Sequence, residues 1–515
     1  MTARTVPDML RARAKHEPGS VAVVVEGRGT MSFGEWDRRS DAVAHGLTRR
    51  GVRRGDRVGL LFGAGDWIDF CVACCAVQKA GAVAVPLSDR LAAPEIAYML
   101  GHSSASAVLC GRGLTPPPGD HWTARVEDVE EDTRDAPAPV AGPGDLAQIL
   151  YTSGTTGRPK GVGATHANLT FGWAGRSDRR RFRHSRHLLH AFPIGTNAGQ
   201  MMVMNALGAH PAMLTPGGFT PARFARLIES YRAGSVFLVP TMAMELLNAG
   251  LHERYDMSSV VLLGSAAAAL PPALAARLAA AFPRAAVTNY YTSTEAAPAQ
   301  TVMIYDPRRP EALGRPAFGS ALRVTDERGE PLPAGEAGEI WLRSPAVTRS
   351  YYGDDRATSA VFRGGWVRMG DLGRLDADGY LYLIDRESDV LKSGAFKVST
   401  LQVEAALHEH PRVREAAVFG VPDPVLGAVP AAAVVPRDDA EAVTASELRA
   451  FLSERLARHE LPRHVFLVES LPRNQSGKVL KKDLRRLLGQ AGTSASPAGP
   501  GADRPTSHVP RQVSE

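Results

Sequence analysis

The stretch Tyr151-Thr-Ser-Gly-Thr-Thr-Gly-Arg-Pro-Lys160-Gly-Val162 decides how the rest of the chain is read. It follows the apolar residues Leu146, Ile149 and Leu150, which predict a buried strand that opens into a loop of glycines and hydroxyls. In such a loop backbone N–H groups and hydroxyls converge on phosphate oxygens, and a nearby lysine adds positive charge. Thr152, Ser153, Gly154, Thr155, Thr156, Gly157 and Lys160 are therefore the first candidate nucleotide contacts. The loop is not a Walker A motif, because Gly154 and Gly157 stand three apart and Pro159 separates the second glycine from Lys160. It also lacks the Gly-x-Gly-x-x-Gly spacing of dinucleotide folds. Taken alone, a surface turn rich in Ser, Thr and Gly explains it equally well.

The blocks downstream break that tie. In order they are Leu262-Leu-Gly-Ser-Ala-Ala267, Asn289-Tyr-Tyr-Thr-Ser-Thr-Glu295, Trp366-Val-Arg-Met-Gly-Asp-Leu372, Asp385-Arg386 and Leu471-Pro-Arg-Asn-Gln-Ser-Gly-Lys478. Together with the first loop they resemble the adenylate-forming superfamily, which comprises acyl-CoA synthetases, aryl-CoA ligases, luciferases and the adenylation domains of peptide synthetases. The resemblance runs from Ser32 to Leu487.

The resemblance implies a reaction. A carboxylate is a poor electrophile, and attack on the α-phosphorus of ATP, with loss of pyrophosphate, makes it an acyl adenylate. Such a site needs phosphate donors, a hard cation, a ribose clamp and a positive charge where acid and α-phosphate meet. By family position, Gly264, Ser265 and Ala266 cradle adenine, where small residues let the backbone approach closely. Asn289, Tyr290 and Tyr291 belong to the block whose aromatic residue stacks on adenine, Thr294 meets phosphate and Glu295 binds Mg²⁺. Asp371 accepts hydrogen bonds from the ribose hydroxyls, and Arg386 joins it from the hinge. Lys478 is the catalytic lysine that bridges the α-phosphate and the substrate carboxylate. In the family the domain carrying this lysine closes for adenylation, then rotates to bring the block around Gly394 toward the site. At the hinge position this chain has Ser388 where the family has Asp or Lys.

Length and composition set bounds. A chain of 515 residues exceeds one hydrophobic core, so more than one domain is expected. Strand and helix alternate through the first three quarters, as in Val58–Phe62, a helix over Trp67–Lys79, then Ala82–Pro86. From Gly338–Arg343 onward the pattern is strand-rich, with a hairpin turn at Asp378-Gly379. A compact α+β stretch follows, whose helix starts at the box Thr444-Ala-Ser-Glu447 and presents Leu448, Phe451, Leu452 and Leu456. The expected architecture is α/β: a large domain over 1–385 made of layered α/β subdomains and a β-rich one, a small mobile α+β domain over 386–488, and a disordered tail over 489–515. The N-terminus has no apolar signal core and no run is long enough to span a membrane, which points to the cytoplasm. The net charge of +6 is modest for this length and does not suggest nucleic acid. Cys71, Cys74 and Cys75 read as a buried helix face and not as a metal site.

The departures from the family fall at the acid-binding end. Many acyl-CoA ligases carry Pro-x-aromatic-His-x-x-Gly; here Phe192-Pro-Ile-Gly-Thr-Asn-Ala-Gly199 puts Thr196 in place of the histidine. Phe192, Thr196, Asn197 and Gly199 are candidate substrate residues. Ala395 replaces one of the paired glycines next to Gly394, and Tyr290 and Thr292 replace two glycines beside adenine. The cluster Arg176–Arg186 offers attraction for CoA phosphates or an acidic carrier protein, or simply a solvated loop. The leading expectation is an ATP- and Mg²⁺-dependent ligase passing a small-molecule acid to CoA. Transfer to an acyl carrier protein or an amine, activation of nitrite for an arylamine, and a nucleotide-binding pseudo-enzyme are the alternatives. The oligomeric expectation is monomer or homodimer.

Overall fold

A computed structural model describes residues 4–133, 140–152, 158–173, 180–268, 270–386, 389–394, 396–437, 443–474 and 478–493. The chain forms two compact units. The first is Met1–Ser388 together with Arg473–Lys478, and the second is Asp389–Pro472 with the chain from Val479 onward.

The first unit holds three sheets. A nine-stranded sheet has its parallel core in Val21–Val25, Ala212–Thr215, His187–Leu189, Ser235–Leu238, Leu262–Ser265 and Ala286–Tyr291. A seven-stranded sheet contains Arg57–Phe62, Val83–Ser88, Leu146–Thr152 and Lys160–Thr165. The third sheet, of five strands, includes Gly338–Arg343, Trp366–Leu375 and Leu381–Arg386. Strand–helix alternation, read from the sequence, is the architecture found.

The helix Trp67–Lys79 shows why the two larger sheets stay together. It is apolar on every face, so it must be covered on every face, and it packs against Val21–Val25 of one sheet and Arg57–Phe62 and Val83–Ser88 of the other. Trp67, Phe70, Cys71, Val72, Ala73 and Ala76 are fully buried there, and each large side chain contributes roughly 1.5–3 kcal/mol by leaving water. All four cysteines are free and buried; burial pushes every thiol up, Cys75 and Cys110 to about 11, so they are inert packing groups. Lys79 ends the helix inside the core, and its ammonium is paired with Asp37 at 2.6 Å and Asp41 at 2.7 Å.

The second unit is a sheet of Phe396–Val398, Leu391–Ser393, Gly427–Pro436, Val413–Asp423 and His464–Leu467, covered by Thr400–His408 and Ala445–Ser453. Thr444 caps the latter helix by accepting from the N–H of Glu447 at 3.2 Å. The helix stops at Ser453, so Leu456 reaches the same core from beyond its end and not from its face. Gly394 sits here with φ +59°, a left-handed conformation that favours glycine. No described helix is long and apolar enough to cross a membrane. The tail expected to be disordered over 489–515 starts inside a helix, Lys481–Thr493; Ser388, Ala395 and the residues from 494 lie outside the described residues.

Two buried histidines make stability pH-dependent. His166 accepts a hydrogen bond from the N–H of Val6 and His190 one from Phe192, and both are kept neutral by burial, at about 4 and about 3. The unfolded chain takes up these protons near 6.5, so the stabilisation is complete above that pH and is lost as pH falls toward the folded values. Each histidine should contribute a slope of about 1.4 kcal/mol per pH unit in that window. Urea unfolding between pH 7 and 4.5 should show this loss, with a slope shallower by one histidine's share in His166→Gln. An unchanged slope in that variant would contradict the assignment.

Candidate active site

The carboxyl ends of three parallel strands bring the first residues together. In register, Leu238 lies beside Ser265, and Gly264 and Ser265 lie beside Thr288 and Asn289. Ligands of open α/β sheets bind at this edge. A side chain at Gly264 would require the rings to move, since a Cβ would meet Phe237 at 2.7 Å and Tyr290 at 3.1 Å. Ala266 donates its N–H to Leu238, and Ala267 follows with φ +72°, a strained conformation for a residue with a Cβ. The Tyr290 ring packs against Phe237, with centroids 5.8 Å apart, in space that a glycine at 290 would leave open.

Tyr291 points to the third sheet. Its hydroxyl donates to Asp371 at 2.6 Å, and Asp371 lies opposite Arg386 in the antiparallel hairpin, 3.7 Å from its Nε. Burial raises the Asp371 carboxyl above the usual range, opposed by the charge of Arg386, the Tyr291 hydroxyl and the charge of Lys478. Burial and the neighbouring Asp371 together push the Tyr291 phenol up. Lys478 belongs to a closed loop: its N–H donates to Asn474 Oδ1 at 2.9 Å, and the Asn474 N–H returns a bond to its carbonyl at 2.9 Å.

Thr152 and Lys160 face each other across the strand pair that carries the glycine-rich loop. Ser153, Gly154, Thr155, Thr156 and Gly157 lie outside the described residues. Glu295 accepts from Tyr351 at 3.0 Å and from Thr152 at 3.4 Å, both at Oε1, and Lys160 lies 4.9 Å over the Tyr351 ring. Among the described residues its hydrogen bonds are made at Oε1, so one carboxylate oxygen is held in place and Oε2 remains to ligate. Among the described residues no cluster of three or more His, Cys, Asp or Glu could hold a metal. A cation here would take one carboxylate oxygen from Glu295 and its other ligands from a bound molecule, an arrangement that Mg²⁺ accepts.

Beside Glu295 a cavity is lined by Gln148, Asn168, Trp173, Arg181, Asn197, Thr292, Phe318 and Arg349, among others. Asn197 is the member of the Phe192–Gly199 loop that lines it. The other three have structural duties there. Phe192 is buried in stacking on His190, and a Cβ on Gly199 would collide with the Pro193 carbonyl. Thr196, a candidate substrate residue, is the N-cap of the helix Asn197–Gly208; its hydroxyl accepts from Gly199 at 3.1 Å and donates to Pro193 at 2.8 Å. The basic cluster is not a uniformly solvated loop either. Arg180 pairs with Glu17, and Arg181 lies between the rings of Trp173 and Phe318 at 4.7 and 4.2 Å.

Arg349 and Tyr351 escaped the sequence reading. Tyr351 lies in the two-residue strand Ser350–Tyr351, directly after Arg349; this strand pairs with Lys160–Thr165 far away in the chain and has no local periodicity to announce it.

Comparison with known proteins places this arrangement. The sequence pattern of the AMP-binding enzymes matches residues 10–352, and that of the AMP-binding enzyme C-terminal domain matches residues 402–478. The chain belongs to this family of AMP-binding enzymes, and it is an ATP-dependent, AMP-forming ligase. It is similar to feruloyl-CoA synthase of Amycolatopsis sp., at 34% identity with 93% of this chain and 98% of that protein covered. It is also similar in structure to ATP-bound MatB from Rhodopseudomonas palustris, with a TM-score of 0.84 at 29% identity, covering 95% and 100% of the two chains. A third likeness is to the amide bond synthetase McbA from Marinactinospora thermotolerans, with a TM-score of 0.80 at 27% identity, covering 93% and 99%.

Proposed function

We propose that this ligase activates a small carboxylic acid as its acyl adenylate at the cluster of Thr152, Glu295, Tyr291 and Asp371, and passes the acyl group to the thiol of CoA. The observation that carries the reading is Glu295, clamped at one carboxylate oxygen by Tyr351 and Thr152 with the other oxygen open. The acceptor is supported by the feruloyl-CoA synthase, which matches over nearly its full length.

In this reading Gly264, Ser265 and Ala266 line the adenine side with Asn289, Tyr290 and Tyr291. Asp371, oriented by Tyr291 and Arg386, accepts the ribose hydroxyls. It must be ionised to do so, and its three donors and cations oppose the upward pull of burial. Thr152, the loop over 153–157, Lys160 and Thr294 bind phosphate oxygens. Glu295 would hold Mg²⁺, which when bound neutralises phosphate charge. Lys478 stabilises the negative charge that grows between the incoming carboxylate and the α-phosphate oxygens, a contact made chiefly in the transition state. Pyrophosphate leaves; a thiol sulfur then attacks the acyl carbon and AMP departs. Gly394, on its left-handed turn, keeps the backbone open for the pantetheine thiol.

Pyrophosphate release, screened over aliphatic, aryl and amino acids and nitrite, with and without CoA and with products identified by mass, tests the reading. Acid-dependent release with an acyl-CoA product is the expected outcome. CoA-independent turnover of nitrite with an arylamine would overturn it. A second reading, transfer to an amine, is favoured by the likeness to an amide bond synthetase; it requires amide formation from acid, ATP and amine without CoA.

Tyr290 should restrict the acid. Its ring, tilted against Phe237 and packed beside Gly264, fills volume at the strand ends where the acid would approach the adenine-side residues. Tyr290→Gly is expected to raise kcat/KM for bulkier acids by about 10-fold relative to small ones, within the range that pocket volume confers. Unchanged relative rates across acid size would remove Tyr290 from the pocket wall.

A further inference from the structure

Buried cations elsewhere in this unit are neutralised. Lys79 has Asp37 and Asp41, and Arg13 has Glu17 at 3.4 Å plus two backbone carbonyls. Arg349 differs. It is 5% exposed, yet its hydrogen bonds go only to neutral groups: Asn168 Oδ1 at 2.9 Å, the Thr294 carbonyl at 2.9 Å and Asn197 Oδ1 at 3.5 Å. Among the described residues no carboxylate lies within ion-pair distance, and the bonds it makes come from Nε and Nη1, leaving Nη2 without an acceptor there. A buried charge without a counter-ion is costly, and natural proteins rarely leave one unless a ligand completes the pair.

The guanidinium faces the cavity beside Glu295. Arg181 lies on the same cavity between Trp173 and Phe318, with no carboxylate partner among the described residues. Among the described residues no Asp or Glu lines that cavity, whose remaining walls are amides, aromatic rings, aliphatic side chains and the small polar groups of Cys74 and Thr292. The cavity wall is thus electropositive: among the described residues it carries no anion of its own, and the carboxylate whose charge reaches Arg349 is Glu295, which does not line it.

We propose that the acid taken by this cavity is a dicarboxylate: one carboxylate is activated, and the second pairs with Arg349, with Arg181 adding positive potential from the aromatic wall. This rests on the acid-adenylating reading above. Arg349 is thereby a specificity-determining residue. A fork of two N–H donors matches a carboxylate, and burial makes the pair strong. A monocarboxylate or an ester in the same place would leave the guanidinium unpaired.

The test is pyrophosphate release by the full chain with ATP and Mg²⁺, using succinate, glutarate, phthalate and homophthalate, each beside its monomethyl ester. At least one diacid is expected to exceed its ester by about 10-fold or more in kcat/KM. Arg349→Met should lower kcat/KM for that diacid about 100-fold, mainly through KM, and change the ester less than about 3-fold. Arg349→Lys should restore part of the preference, which a merely structural role would not predict. Where Arg349→Met fails to fold, Arg181→Met is the second variant, expected to cut the diacid-to-ester ratio about 5-fold. Esters or monoacids used as well as every diacid, or variants that weaken both substrates equally, overturn the proposal while leaving acid adenylation intact. Absence of release with every acid would overturn the underlying reading and this inference together.

Discussion

Lys478→Ala is expected to lower acid-dependent pyrophosphate release by at least about 10²–10³-fold, the loss typical when one preorganised donor to a developing charge is removed. The direction follows from where the charge appears. In the ground state the carboxylate and the α-phosphate repel each other; in the transition state they share an oxygen, and an ammonium between them gains most there. ATP affinity should change less than about 3-fold, because adenine, ribose and the outer phosphates rest on other groups. The loop itself should survive, since the reciprocal bonds between Asn474 and Lys478 use the Lys478 backbone and not its side chain. A second arm isolates the step: supplied with a preformed acyl adenylate and CoA, the variant should still make the thioester. Near-normal pyrophosphate release by Lys478→Ala would remove this lysine from the chemistry, and an equal loss in both half-reactions would assign it a role in folding instead.

The legible part of the site is the part written in contiguous blocks. Tyr291 and Glu295 sit on one strand end, and Asp371 and Arg386 on one hairpin, so their types and short spacings announce them, and the strands that carry them follow from ordinary periodicity. The parts that escaped depend on tertiary pairing. Arg349 is fixed by Asn168, Asn197 and Thr294, residues more than fifty positions away in the chain. A lone arginine after Val-Thr carries no signal of such burial. Thr196 is the opposite case. Its place in a family loop made it a candidate substrate residue, while a threonine directly ahead of a helical run is first of all an N-cap. Local capping chemistry took the hydroxyl that substrate binding would have needed.

The basic cluster teaches the same lesson about charge. In sequence Arg176–Arg186 is a run of like charges, and such runs usually face water. In the fold, Arg180 is drawn to Glu17, and Arg181 is drawn over two aromatic rings, where its stem and planar head both find contact. Composition gave no means of separating the inward arginines from the outward ones. The inward Arg181 lines the same cavity as Arg349.

Glu295→Gln separates charge from shape at the other end of the site. The amide carbonyl can still accept from Tyr351 and Thr152, so the bonds that orient residue 295 are retained and the fold should not suffer. What disappears is the negative charge and the free anionic oxygen, the features a hard cation requires. Loss of a carboxylate at a metal position should reduce kcat/KM for Mg·ATP by about 10²-fold, with a higher Mg²⁺ concentration needed for half-maximal rate. Because Glu295 is also the nearest acidic influence on Arg349, whose pKa burial pushes down to about 10, the variant should leave that arginine still less compensated. Acid KM should then shift in a direction opposite to that of Mg²⁺: a dicarboxylate would bind tighter as the guanidinium loses its distant counter-charge. Steady-state titrations of Mg²⁺ and of acid in Glu295→Gln check both halves. An unchanged Mg²⁺ requirement would sink the metal assignment, whereas a weakened Mg²⁺ response with unchanged acid KM would show that Arg349 does not feel this carboxylate.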